Sequence, residues 1–159
     1  FEKMNEGLST LKLTQMRMEL VEGAKGEKII NDAYNASPTS MNAAIELISN
    51  LPGYEKKILV LGDMLELGPL EEEFHNQIGE SLNPKSIDLV FTLGNLGKLI
   101  SIGATKVLGE KRVFAFSDKL SLIEELRKHV DEKTLILVKA SRGMKMEEVV
   151  SSLKNNVQE

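Results

Sequence analysis

Two short segments hold most of the residue types that could do chemistry. In IINDAYNASPTSM, from Ile29 to Met41, an apolar run gives way to Asp32, Tyr34 and Asn35 and then to a proline. Asp32 and Asn35 are short side chains able to bind hydroxyl or amide groups, and a carboxylate at a strand end can accept both hydroxyls of a vicinal diol. In VKASRGMKMEEVV, from Val138 to Val150, an apolar strand releases Lys139, Ser141 and Arg142 at once, which is the geometry of an anion or peptide site. Asp63 follows Gly62, where the missing Cβ permits close approach of a ligand; capping of a turn before Met64 is an equal alternative. The guanidinium of Arg17 fits a phosphate, although Glu19 on the same strand face would also give it a surface ion pair. Plain structural readings stand beside the others too: a turn bond for Asp32, a left-handed turn for Asn35, packing for Tyr34 and a basic loop for Lys139 to Arg142.

Alternating strands and helices must position these groups. Arg17 to Val21 and Lys28 to Asn31 read as a hairpin through the glycine-containing turn Gly23 to Gly26. Pro38 to Leu51 has helical spacing at Met41, Ala44, Ile45 and Ile48, with Ser37 or Thr39 as its cap. The pattern then predicts a buried strand at Lys57 to Leu61, a helix at Glu71 to Leu82, a strand at Leu89 to Leu93 and a short helix at Leu96 to Gly103. A strand at Arg112 to Phe116, a helix capped by Ser117 or Asp118 and ending near His129, a strand at Thr134 to Val138 and a helix at Glu147 to Val157 complete it. This alternation predicts an α/β domain of Rossmann-like, three-layer form, with about six strands, mostly parallel, helices on both faces and an antiparallel edge strand. Ligands of such sheets lie beyond the carboxyl ends of the strands, which collects Asp32 to Asn35, Gly62 and Asp63, Gly94 and Asn95, and Lys139 to Arg142 along one edge. No G-x-G-x-x-G follows the first strand, so the fold need not mean a dinucleotide.

Four segments in order resemble the Mur ligases: LTQMRMEL (Leu13 to Leu20), DAYNASPTSM (Asp32 to Met41), VLGDMLELG (Val60 to Gly68) and VKASRGMKMEEVV. The resemblance implies an ATP-dependent amide ligase, and the member it resembles best joins D-alanyl-D-alanine to UDP-N-acetylmuramoyl-tripeptide through an acyl phosphate. It implies nucleotide contacts for Arg17, Asp32, Asn35 and Tyr34, with Asp32 on the ribose, and substrate contacts for Lys139, Ser141, Arg142 and Asp63. Ala140 stands where the family usually has glycine, and a methyl there would crowd a ligand backbone. The family's P-loop, G-x-x-x-x-G-K-[ST], does not occur between Phe1 and Glu159. The chain also opens on Phe1 rather than on methionine. The expectation is therefore a carboxy-terminal lid domain, catalytically silent alone. Residues 1–13 would end the central domain and form a linker, and residues 14–159 would be the domain itself. Its partners would be the absent amino-terminal and central domains, with Mg²⁺ held mainly by the central one. A folylpolyglutamate synthase-like ligase is the related alternative, and a stand-alone nucleotide-binding module without catalysis is the alternative from another class.

Composition agrees with one domain. The chain has 159 residues, 42% of them hydrophobic, enough for a single sizeable core. Its apolar runs are too short to cross a bilayer and no signal segment precedes them, so a cytoplasmic protein is expected. The absence of cysteine excludes disulfides and thiolate chemistry, and having only two histidines, His75 and His129, argues against a histidine-rich metal site. A net charge of −4 and no tryptophan argue against nucleic acid as a partner. His75, beside Glu71 and Glu72 at helical spacing, is expected on a solvated helix face, and His129 at a helix C-terminus.

Overall fold

The computed structural model describes residues 18–34 and 36–155. Arg17, Asn35 and the segment read as a linker lie outside the described residues. The first strands, β1 (Glu19–Glu22) and β2 (Lys28–Asp32), pair antiparallel with Glu22 opposite Lys28, as the hairpin reading requires. The chain continues through α1 (Pro38–Asn50), β3 (Lys56–Gly62), α2 (Glu71–Glu80), β4 (Leu89–Leu93), α3 (Gly97–Leu108), β5 (Val113–Phe116), α4 (Lys119–Arg127), β6 (Thr134–Lys139) and α5 (Glu147–Lys154). The six strands form one sheet in the order β1-β2-β6-β3-β4-β5, parallel throughout except at the β1 edge.

Period-two alternation divides the core between the two faces of this sheet. Ile30, Leu59, Leu61, Val90, Leu135 and Leu137 pack with Met41, Ile48, Ile78 and Ile100 of α1, α2 and α3. Ile29, Ile58, Val60, Phe91, Ile136 and Val138 pack with Leu122, Leu126, Val149 and Leu153 of α4 and α5. Every residue of β6 is buried, as expected for a central parallel strand covered on both faces.

The ends of the helices follow local chemistry. Ser37 caps α1 by accepting from the Ser40 N–H at 3.1 Å while Ser40 Oγ accepts from the Ser37 N–H at 2.9 Å, and Pro38 occupies the first turn. Asp118 caps α4 through the Ser121 N–H at 2.8 Å. Just beyond that helix His129 pairs with Glu125 at 3.0 Å, and this hydrogen bond, helped by Lys128, holds the Glu125 carboxyl below its usual range. One helix is longer than the sequence pattern suggests. The short helix read as ending at Gly103 runs on to Leu108, because Gly103 is a crossing point rather than a stop. A Cβ added at Gly103 would lie 2.2 Å from the Asn76 carbonyl oxygen, and one at Gly79 would lie 2.1 Å from that of Ile100. α2 and α3 therefore meet backbone to backbone.

Candidate functional site

The connections leaving the strands create a crevice at one place. β2, β3 and β4 lead into α1, α2 and α3 on one face, whereas β6 leads into α5 on the other. Since β6 lies between β2 and β3, the chain splits to opposite faces on both sides of its carboxyl end. Asp32 and Lys139 are register partners there, and Lys139 is also the partner of Leu61 on β3. Alternation puts Asp32 and Lys139 on the face of α1 to α3, next to Ile30 and Leu137. They form an ion pair through Lys139 Nζ and Asp32 Oδ2, with the two residues only 2% and 6% exposed. Tyr34, two residues beyond the strand, is 50% exposed.

The loops after β3 and β6 are tied together by backbone groups. The Ser141 N–H donates to the Asp63 carbonyl at 3.0 Å, and the Leu65 N–H donates to Ser141 Oγ at 2.8 Å. The Asp63 carboxylate faces α3: Oδ1 accepts from the Gly97 N–H at 2.7 Å, at the helix N-terminus where a negative charge is favoured. Gly94 makes room for it, having φ of 103° and a would-be Cβ 2.4 Å from Asp63 Oδ1. Arg142 is exposed and opens the short 3₁₀ turn Arg142–Met144. Among the described residues, the non-glycine ones with positive φ, Glu66 and Lys145, both lie in these two loops.

One expectation needs correction. His75 is not on a solvated face; it is fully buried, with Nε2 accepting from the Met64 N–H at 2.8 Å and Nδ1 lying 2.6 Å from the Glu71 carbonyl. Those partners require the neutral ring with its proton on Nδ1. The acidic residues beside it suggested solvent, yet Ile78 and Leu82 follow at the spacing of one helical stripe, and that signal places His75 among them. The Ala140 methyl is turned to the packed interior. It is fully buried within the core, and a Cβ added at Gly62 would come within 2.9 Å of it, so Ala140 occupies space that Gly62 leaves open.

Of the eight residues singled out from sequence, the structure brings Asp32 and Lys139 into contact and joins the Asp63 and Ser141 backbones beside them. Tyr34 and Arg142 stand exposed on the adjoining loops. A family model for the Mur ligase, glutamate ligase domain, matches residues 16–142. The chain belongs to this family. Within the Mur ligases it is 53% identical over 152 residues, 96% of its length, to the UDP-N-acetylmuramoyl-tripeptide–D-alanyl-D-alanine ligase of Bacillus subtilis, of which it covers 33%. It is 37% identical over 157 residues to the enzyme of that name from Escherichia coli, covering 98% of this chain and 33% of the relative. Among solved Mur ligases, a MurF ligase from Thermotoga maritima in complex with ADP superposes with a TM-score of 0.72 at 31% identity, covering 87% of this chain and 30% of that one. The chain thus spans about a third of the length of the curated relatives it matches.

Proposed function

We propose that the chain is the carboxy-terminal lid, residues 14–159, of an ATP-dependent ligase that adds D-alanyl-D-alanine to UDP-N-acetylmuramoyl-tripeptide for peptidoglycan precursors. One observation carries the reading: two polar segments more than a hundred residues apart meet in the crevice where β6 departs from its neighbours, Asp32 bonded to Lys139 with Ser141 beside them. The 53% identity to the Bacillus subtilis ligase favours this substrate pair over folate and glutamate, and the ADP in the Thermotoga maritima relative supports nucleotide use.

In this reaction a carboxylate oxygen of the tripeptide attacks the γ-phosphorus of ATP, ADP leaves, and an acyl phosphate forms. The dipeptide amine then attacks the acyl carbon, inorganic phosphate leaves, and the amine gives up a proton. Such chemistry depends on aligning the reactants and neutralising phosphate charge. Arg17, Asp32, Asn35 and Tyr34 would hold the nucleotide, with Asp32 accepting from the ribose hydroxyls. Ser141, Arg142 and the Asp63 turn would face the incoming dipeptide, Arg142 being an exposed cation of that loop. Among the described residues no group of three or more His, Cys, Asp or Glu could hold a metal ion. Mg²⁺, with the P-loop, would be held mainly by the central domain. Closure of the lid would exclude water from the acyl phosphate.

The test is phosphate release by the protein expressed from its complete coding region, with ATP, Mg²⁺, UDP-N-acetylmuramoyl-tripeptide and D-alanyl-D-alanine, each omitted in turn. Release requiring both the tripeptide and the dipeptide is expected. Release driven by folate and glutamate, or nucleotide binding without turnover, would sink the proposal. In the active protein, Asp32→Ala is expected to raise the apparent KM for ATP, and an unchanged value would remove Asp32 from the nucleotide site.

A further inference from the structure

The Lys139–Asp32 pair is unusual for its place in the sheet. The positions just before the two residues on that face are apolar, Ile30 on β2 and Leu135 and Leu137 on β6. Both are nearly buried, and they pair at the last register position, where β2 ends and the crevice opens. Two charges taken out of water repay their desolvation only when geometry and further hydrogen bonds are good, and apolar residues of similar volume often serve stability as well or better. A stability role alone therefore gives little reason for a lysine and an aspartate here. The buried position of the ammonium also leaves little of Lys139 to offer a peptide, while its neighbour Arg142 is exposed.

We propose that Lys139 is a positioning residue: its buried ammonium grips Asp32 Oδ2 and fixes the carboxylate so that Oδ1 is presented to the nucleotide. Lys139 thereby moves from the substrate side, where sequence resemblance put it, to the support of the nucleotide side. The inference rests on the nucleotide role proposed above for Asp32. A carboxylate at a strand end is free to turn about its χ angles, and a charged partner held by an adjacent, fully buried strand removes that freedom before the ligand arrives. β6 is suited to this because every one of its residues is buried and it is hydrogen-bonded on both sides.

The experiment uses the protein from its complete coding region, with ATP affinity read by direct calorimetric titration and KM measured separately for ATP and for D-alanyl-D-alanine. Lys139→Met is expected to weaken ATP binding about tenfold, the scale of one lost charge-assisted hydrogen bond, and to leave the dipeptide KM within about twofold. The double variant Asp32→Asn with Lys139→Met is expected to bind ATP no worse than the weaker single variant, because the two changes remove one interaction. A raised dipeptide KM with unchanged ATP affinity, or additive losses, would overturn the proposal.

Should Lys139→Met fail to fold, Lys139→Arg keeps Asp32 and the opposite charge but changes the geometry of the grip. Weakened ATP binding at an unchanged melting temperature supports positioning, while unchanged ATP affinity overturns it. Because titration needs no turnover, a protein that binds ATP but forms no product loses the ligase reading and still tests this one. A protein that binds no ATP loses both.

Discussion

At the scale of single residues, the loop after β3 owes its position to His75. The imidazole takes the Met64 N–H on one nitrogen, and the next residue, Leu65, donates to Ser141 Oγ, so the ring sits two links from the β6 loop. His75→Ala would leave a buried N–H without an acceptor and open a cavity, a loss of about 3 kcal/mol in unfolding free energy. Chemical denaturation of the chain checks it; a loss well under about 1 kcal/mol would show that water replaces the ring. The residues themselves explain why the sequence was informative in some places and misleading in others. Asp32, Asp63 and Ser141 were legible because strand ends gather polar groups by rule. The burial of Lys139 was not legible, since a lysine after an apolar run ordinarily turns to solvent, and only the register across two strands distant in sequence supplies its carboxylate partner. Likewise the direction of the Ala140 methyl depended on Gly62, nearly eighty positions earlier.

At the scale of elements, the helix pair α2 and α3 supports the edge of the site. α2 carries His75, and the first residue of α3, Gly97, donates its N–H to Asp63. Their approach depends on Gly79 and Gly103, each facing a carbonyl oxygen of the other helix at less than the diameter of a methyl group. Gly79→Ala and Gly103→Ala are each expected to lower stability by about 2–3 kcal/mol, against the small gain an alanine gives in an open helix. Thermal melting of the two variants is the check, and an unchanged or raised midpoint would mean the helices can separate without cost. The strands were legible to within a residue or two because the β-period is short and their ends carry turn residues. α3 was cut short in the sequence reading because a glycine inside a helix looks like an ending when the neighbouring helix is not yet known.

The molecule as a whole is organised about β6, the last strand to appear in the chain and one of the two at the centre of the sheet. Among the described residues no helix is long and apolar enough to cross a membrane, and the buried apolar residues form two core layers flanking that sheet. Alternation of strand and helix made this architecture readable from sequence, but the strand order is a non-local property that no local pattern encodes. That order has a consequence for synthesis. Until Thr134–Lys139 emerges from the ribosome, β2 and β3 have no shared partner between them, and this part of the growing chain holds a hairpin with one helix and a β3-β4-β5 unit that cannot close. The open edge of β3 is apolar on both faces from Ile58 to Leu61, and that of β2 bares Ile29 and Ile30, so both resemble aggregation templates. While these residues are being made, an unfinished sheet therefore stands open, and it becomes one cooperative unit only when β6 threads the gap between β2 and β3.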